Sequence, residues 1–167
     1  MVTSFSPLEV VRADICDSDT VVGILTDAAR WLMARDLPTW KPETLPRVIL
    51  PAIERGEVYL ATCGGRPVAT VSLQWVDLLF WGERPDDAGY LHKLAVLRSA
   101  AGQRIGERLV RWVEDAVIER SRRYVRLDCH AGNPAINQFY QNLGYRARGR
   151  VAINGTEFTL YEKSVSR

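Results

Sequence analysis

The chain has 167 residues, the size of one ordinary domain, and we expect residues 1–167 to fold as a single domain. Of these residues 47% are hydrophobic and 25% are charged, a globular composition that excludes a disordered or fibrous protein. The 22 basic and 20 acidic residues leave a formal net charge of +2, which is too small to indicate a nucleic-acid or membrane partner.

The cysteines and histidines give no sign of a disulfide framework or a metal site. Cys16, Cys63 and Cys129 are far apart and odd in number, as is typical of proteins in a reducing compartment. His92 and His130 have no regularly spaced ligand partners, so we expect no metal. The N-terminal segment is charged, and no apolar run is long enough to cross a membrane. We therefore expect a soluble, cytoplasmic protein.

The N-terminal third of the chain predicts a strand followed by two helices. Apolar and β-branched residues indicate a strand over Leu8–Ile15. The Asp-Ser-Asp cluster at 17–19 then caps a helix whose apolar stripe ends before Pro38. A second helix is predicted over Glu43–Arg55, and Pro51 should kink or shorten it.

The middle of the chain predicts three strands. Two β-rich segments, Val58–Thr62 and Pro67–Trp75, flank a Cys-Gly-Gly-Arg turn that favours a hairpin. A loop over Asp77–Ala88 separates this hairpin from a third strand, Gly89–Leu97.

The C-terminal half predicts two helices and three more strands. A long amphipathic helix has apolar residues at every fourth position: Ile105, Leu109, Val113 and Val117. A strand over Arg123–Cys129 follows, then a short helix that begins at Asn133 and ends at Gly144. A hairpin over Val151–Tyr161 closes the chain. The order β-α-α-β-β-β-α-β-α-β-β describes an α/β mixed sheet with helices on both faces.

The junction between the Gly89–Leu97 strand and the long helix has the features of an anion site. The first amides of a helix lack intrahelical acceptors, and Gly102 and Gly106 would allow a phosphate to approach them. Three arginines add positive charge: Arg98, Arg104 and Arg108. The Walker and Rossmann glycine patterns are both absent. Alternatively, the two glycines serve only to make a turn and to pack the helix on the sheet.

Two motifs resemble those of the GNAT (GCN-type) N-acetyltransferase family. The segment 101–106, Ala-Gly-Gln-Arg-Ile-Gly, is similar to its phosphate-binding pattern Q/R-x-x-G-x-G/A, although Ala101 and Arg104 depart from that pattern. The segment Asn133–Tyr145 is similar to N-x-x-A-x-x-F-Y-x-x-x-G-[FY], with Ile136 near the small-residue position. The resemblance implies a splayed mixed sheet of roughly six or seven strands flanked by about four helices.

The resemblance also implies that acetyl-CoA is the cofactor. Its pyrophosphate would bind the backbone amides of Ala101, Gly102, Gln103, Arg104, Ile105, Gly106 and Glu107. Its pantetheine arm would run like an added strand along Leu94, Ala95 and Val96, where the sheet splays. Asn133 would reach the arm from the other side, and this role is compatible with capping a helix.

By this resemblance the reaction is direct transfer of the acetyl group to a primary amine in a ternary complex. It needs a backbone N–H near Leu94 or Ala95 to hold the oxyanion, a base for the amine and an acid for the leaving thiolate. Tyr140 matches the position of the acid in the family. The alternative for Tyr140 is a core position on the apolar face of its helix.

His92 is the candidate base, because its ordinary pKa lies near neutrality and it lies on the splayed strand. We then expect an ascending limb in the pH profile at about 6 to 8. The alternative is a structural His92 and a carboxylate acting through water, with Asp77, Glu83, Asp86, Asp87, Asp128 and Glu157 as candidates. We expect a loop role for His130 and a core role, rather than a nucleophilic one, for Cys129.

The acceptor is the least determined part of the prediction. The segments Trp31–Lys41 and Asp77–Asp87 resemble acceptor-lining positions of the family, where Trp40 and Trp81 either hold a cationic amine or pack between helices. A small-molecule amine and a protein or peptide amine both stay open, as do acyl-chain preference and homodimerisation. The rival classes are a non-catalytic acyl-CoA-binding or sensor module and a nucleotide-binding regulator.

Overall fold

The computed structural model describes residues 7–166, which form seven strands and four α-helices in the predicted order. Three short 3₁₀ turns lie at Ile15–Asp17, Pro42–Thr44 and Arg98–Ala100. The elements are β1 Leu8–Arg12, α1 Ser18–Met33, α2 Leu45–Glu54, β2 Val58–Cys63, β3 Arg66–Gln74, β4 Ala88–Val96, α3 Ile105–Glu119, β5 Tyr124–His130, α4 Pro134–Asn142, β6 Arg146–Ile153 and β7 Thr156–Ser164.

All seven strands belong to one sheet, in the order β1-β2-β3-β4-β5-β7-β6. Every neighbouring pair is antiparallel except β4 and β5, which are parallel and are connected through α3. Their pairing runs from Ala88 opposite Tyr124 to Leu91 opposite Leu127 and then ends, although both strands continue. The sheet is therefore splayed between β4 and β5, as the family resemblance implied.

The helices cover both faces of the sheet. On one face, α3 and α4 pack over Leu91 and Leu127 in the larger core cluster. On the other face, α1 and α2 pack over Val58, Leu60 and Ala95. Because side chains alternate along a strand, the residues that follow Leu91 and Leu127 point to the α1–α2 face.

Two details of the helices differ from the sequence prediction. The Asp14 carboxylate accepts a bond of 2.7 Å from the Cys16 amide, so Asp14 caps the 3₁₀ turn, whereas Asp17 makes no side-chain cap bond to α1. Pro51 does not end α2, which continues to Glu54. Pro51 and Arg47 both lie on the exposed face, so the Arg47 carbonyl that loses its helical partner can bond water.

Among residues 7–166, none of the helices combines the length and the hydropathy that crossing a bilayer requires.

A pair of glycine substitutions tests the packing of α3 on the sheet. A Cβ added at Gly89 on β4 would collide with Val117 and lie 3.1 Å from Leu73, so we expect Gly89→Ala to destabilise the fold by about 1–3 kcal/mol. Gly23 lies in α1 with open space around it, so we expect Gly23→Ala to stabilise the fold by about 0.5–1 kcal/mol. Urea unfolding measures both changes. Equal effects of the two substitutions would contradict the packing described.

Candidate active site

A cleft opens where β4 and β5 separate, with its apex at Leu91 and Leu127. Beyond this point β4 is paired with β3 alone, through Thr70 opposite Ala95 and Ala69 opposite Val96. The edge of β4 that faces β5 therefore presents backbone groups to the cleft over Leu94–Val96, the segment expected to hold a pantetheine arm. An extended ligand can add to such an edge through main-chain hydrogen bonds.

The N-terminus of α3 lies just beyond β4 and has no side-chain cap. Its N-cap residue, Arg104, has a left-handed backbone with φ of 56° and makes no cap bond. By contrast, α4 is capped as predicted, since Asn133 Oδ1 accepts a bond of 3.2 Å from the Ile136 amide. Gly102 has φ of 83°, a conformation that favours glycine, and faces open space. The first-turn amides of α3 thus have no side-chain cap, and an anion could accept hydrogen bonds from them.

The arginines near α3 are less free than the sequence suggested. Arg104 donates to the Glu107 carboxylate at 2.6 Å, which neutralises part of its charge. Arg98 lies 4.0 Å from the centre of the Trp31 ring, and its backbone amide donates to Asp27 at 2.8 Å. These contacts of Arg98 fix the loop before α3 to α1.

Gly106 lies where α3 packs against α4. A Cβ at this position would be 3.4 Å from Phe139 and 3.8 Å from Val96. The packing interpretation of Gly106 therefore has a structural basis, and its role in phosphate approach stays a prediction.

His92 lies at the apex of the cleft between two carboxylates. Its Nε2 is 3.2 Å from Asp77 Oδ2 and its Nδ1 is 3.4 Å from Asp128 Oδ1. Burial lowers the pKa of His92, but the hydrogen bonds and charges of Asp128 and Asp77 outweigh that effect and raise the pKa to about 9. His92 is therefore protonated at neutral pH, which differs from the range of 6 to 8 expected for a base. We call these three residues the acid–histidine cluster.

The acid–histidine cluster also meets the distance requirement for holding an ion, since its ligand atoms lie within 4.8 Å of one another. However, Asp77 and Asp128 approach different ring nitrogens of His92, whereas a metal ion binds an imidazole through one nitrogen. The arrangement is that of an imidazolium between two carboxylates. Asp77 Oδ2 and Asp128 Oδ1 are buried without a well-aligned hydrogen-bond donor in the described chain, so each can accept a further donor.

Only two of the six alternative acids lie beside His92, namely Asp77 and Asp128. Glu83 is exposed. The other three are paired with arginines: Asp86 with Arg122 at 2.5 Å, Asp87 with Arg126 at 2.9 Å, and Glu157 with Arg150 at 3.5 Å.

Tyr140 lies on α4 and is 4% exposed. Its ring packs with neighbouring aromatic rings at centroid distances of 5.1 Å to Phe139 and 5.6 Å to Tyr145. Burial, with a contribution from Cys129 and Asp128, raises the pKa of Tyr140 far above its ordinary value, so the phenol keeps its proton. Tyr140 is therefore both a core residue and a group that keeps a proton available to donate.

Cys129 and His130 follow Asp128 on β5. Burial, together with the charge of Asp128, raises the pKa of the Cys129 thiol to about 12, which disfavours the thiolate that a nucleophile needs. His130 ends β5 rather than lying in a loop, and its ring lies 4.6 Å from that of Phe158.

A cavity of about 190 Å³ lies on the α1–α2 face, directly against the acid–histidine cluster. Its apolar walls come from α2 and from the loop between β3 and β4: Val48, Ile49, Ala52, Leu79 and Phe80. Trp40 lies close by, with its ring centre 5.6 Å from Lys93 Nζ. Trp81, in contrast, is 5% exposed and packs against Tyr90, so the packing interpretation holds for this tryptophan.

Residues 25–145 match the Acetyltransferase (GNAT) family. The chain belongs to this family. An uncharacterised N-acetyltransferase of Bacillus subtilis strain 168, YesJ, is 31% identical over 160 residues, which are 90% of this chain and 86% of that protein. The protein is thus an acetyl-CoA-dependent acyltransferase.

Solved structures share the GNAT fold over nearly the whole chain. An acetyltransferase of the GNAT family from Listeria monocytogenes 4b F2365 has a TM-score of 0.78 and 28% identity, with 95% of each chain covered. The PaiA N-acetyltransferase of Thermoplasma acidophilum, solved in complex with coenzyme A, has a TM-score of 0.75 and 18% identity, covering 95% of this chain and 99% of that one.

Sequence reasoning missed two parts of this GNAT site. It gave α2 no part in the site, although Val48 and Ala52 line the cavity; the apolar Val48, which the structure leaves exposed, was the available signal. It also missed the bulge in β4, where Lys93 has φ of 48° and joins His92 in lining the cavity. No pattern in the sequence indicates this bulge.

The two histidines provide a direct test of the acid–histidine cluster by NMR. We expect one imidazole, His92, to titrate at about 9, and the other, His130, below the ordinary value of 6.5, because burial lowers its pKa. Asp77→Asn and Asp128→Asn should each lower the pKa of His92, since each removes a negative charge.

His92→Gln serves as the control that assigns the resonances, since it should leave only the His130 titration. Two histidines that both titrate at 6 to 7 in the unsubstituted protein would show that the cluster does not hold an imidazolium.

Proposed function

We propose that this enzyme transfers the acetyl group of acetyl-CoA directly to the amino group of an acceptor within a ternary complex, and that residues 1–167 form one catalytic domain. The observation that carries the proposal is the meeting of two features at the cleft apex. The unpaired edge of β4 leads to the uncapped α3 on one side, and the cavity ends at the acid–histidine cluster on the other.

We propose that acetyl-CoA binds along the first of these features. The amides of residues 101–107 would hold its pyrophosphate, and the β4 edge at Leu94–Val96 would hold its pantetheine arm. The Asn133 side-chain oxygen is engaged in capping α4, so its amide nitrogen is the group that would face the arm. When bound, acetyl-CoA supplies a thioester whose acetyl group can be transferred to an amine. The coenzyme A complex of the Thermoplasma acidophilum protein agrees with this assignment.

The acid–histidine cluster would receive the acceptor. Its two carboxylates and one imidazolium carry a net charge of −1, which favours binding of an ammonium group. Below about pH 9 His92 already holds its proton, so we propose that Asp77 or Asp128, acting through water, takes the proton of the amine. His92 holds the two carboxylates in place, and above that pH it can act as the base itself.

The remaining roles belong to the β4 backbone and to Tyr140. A backbone N–H near Leu94 or Ala95 would stabilise negative charge on the carbonyl oxygen. Tyr140 keeps its proton because it is buried, and we propose that it donates to the leaving group. Release of free thiol from acetyl-CoA over a panel of amines tests the proposal as a whole. Thiol release that never depends on an added amine would contradict it.

Substitution of Gly106 tests the cofactor site. A ligand that binds only the native state adds about 2.7 kcal/mol of stability at one hundred times its dissociation constant, so acetyl-CoA should raise the melting temperature. We expect Gly106→Glu to abolish this shift, because it places a carboxylate at the α3 N-terminus. Gly106→Ala adds only a Cβ, at 3.4 Å from Phe139, and should keep the shift. ATP serves as the control ligand. If acetyl-CoA raised the melting temperature of Gly106→Glu and of Gly106→Ala equally, the pyrophosphate would have to bind elsewhere.

Substitution of Tyr140 tests the proposed acid. Tyr140→Phe keeps the packed ring and removes the donor, so kcat should fall about ten- to a thousandfold while affinity for acetyl-CoA stays the same. The matched control is Tyr145→Phe in the same aromatic group, which removes a 3.1 Å hydrogen bond to Glu114. That control should lower stability by about 1 kcal/mol and leave kcat unchanged. Unchanged turnover in Tyr140→Phe would make Tyr140 a packing residue only.

A further inference from the structure

We propose that the acceptor is a compact primary amine with a single positive charge and an apolar body, such as a short alkylamine or aralkylamine. The inference rests on the proposed function, since it specifies which amine enters the cavity on the α1–α2 face.

The cavity reaches the acid–histidine cluster at Asp77 and His92, which line it, and Asp128 lies at the other ring nitrogen of His92. The Asp77 side chain is 5% exposed and the Asp128 side chain is 11% exposed, and each holds a buried oxygen without a well-aligned donor. These are the two oxygens that face His92, at 3.2 and 3.4 Å, and each has a second lone pair to which an incoming ammonium could donate. His92 already supplies one positive charge between the two carboxylates, so one further cation makes the group neutral.

Five of the eleven described residues that line the cavity are apolar. Val48, Ile49 and Ala52 belong to α2, and Leu79 and Phe80 belong to the loop between β3 and β4. The volume of about 190 Å³ is well below the roughly 300–1,000 Å³ of cavities that enclose drug-sized ligands. The enclosed part of the acceptor is therefore a short chain or a small ring, and burying it against these walls is favourable.

The lining outside the acid–histidine cluster disfavours a second positive charge on the acceptor. Asp77 is the single carboxylate among the described residues that line the cavity, and besides the His92 imidazolium the lining cations are Arg55 and Lys93. Arg55 is paired with Glu57, to which it donates at 3.1 and 3.0 Å. A second ammonium on the acceptor would thus have apolar side chains and cations beside it, with Ser72 and Gln74 as the neutral polar groups of the lining and no free acid. A monoamine is favoured over a diamine of the same length.

Three primary amines of equal size test this inference: hexylamine, cadaverine and the amino alcohol 5-aminopentan-1-ol. They differ at the distal end, which is a methyl, an ammonium or a hydroxyl group. We expect kcat/KM to follow the order hexylamine, amino alcohol, cadaverine, with at least a tenfold difference between the first and the last.

A charge introduced at the cavity wall provides a specificity test. Val48 lines the cavity and is 46% exposed, so Val48→Glu places a carboxylate beside the distal end of the acceptor without burying it. We expect this variant to raise the cadaverine-to-hexylamine ratio of kcat/KM about tenfold through charge attraction. The matched control is Leu50→Glu, since Leu50 is also exposed on α2, at 37%, and does not line the cavity. It should leave the ratio unchanged.

Each outcome separates this inference from the proposed function. Turnover of cadaverine as fast as hexylamine, or the same ratio in the Val48→Glu and Leu50→Glu variants, would overturn the monoamine inference while leaving acetyl transfer in place. Acetylation of a peptide N-terminus with none of the three amines accepted would do the same. No acetyl-CoA-dependent thermal shift and no acetylation of any amine or peptide would overturn the proposed function itself, and the inference with it.

Discussion

The early end of the parallel pairing between β4 and β5 is the constraint on which the site depends. Pairing stops at Leu91 and Leu127, and two residues later β4 contains a bulge at Lys93, with a left-handed φ of 48° and a register shift against β3. A regular sheet would satisfy the backbone groups of both strands. Here part of the β4 edge is left for a ligand, and the strands separate far enough to admit one. The same separation brings His92 and Asp128 to the apex, each on its own strand.

Asp128 links the electrostatics of the two sides of the cleft. Its carboxylate raises the pKa of His92 on the α1–α2 face, and it contributes to the raised pKa values of Cys129 and Tyr140 on the other face. The consequences differ because the groups differ. The imidazole becomes a cation that holds two carboxylates, whereas the thiol and the phenol stay neutral. One negative charge thus favours a charged group on the α1–α2 face and neutral groups on the other face, an arrangement that agrees with the proposed transfer from a neutral thioester to an amine.

The sequence predicted what is local and missed what depends on the register of the sheet. Helical and strand periodicities gave the order of all eleven elements, because apolar spacing directly reflects which face is buried. The α3 junction and the Asn133 cap were also recognised, since each lies within one short segment. The acid–histidine cluster was not recognised, because its three residues come from three separate segments: Asp77 from the β3–β4 loop, His92 from β4 and Asp128 from β5. Asp77 and Asp128 were named only as two of six acids, and the pKa of His92 was expected near neutrality rather than at about 9.

On the proposed function, the raised pKa of His92 would couple folding, acceptor binding and proton release. A folded-state pKa of about 9, above the ordinary 6.5, means that the cluster stabilises the fold fully below pH 6.5 and loses that contribution as pH rises through 9. An ammonium that binds Asp77 and Asp128 competes with the imidazolium for the same two carboxylates. The two like charges therefore lower each other's pKa, and the bound state favours loss of one proton. By linkage, the group that stabilises the empty site would also promote the deprotonation that the proposed acceptor needs before it can attack.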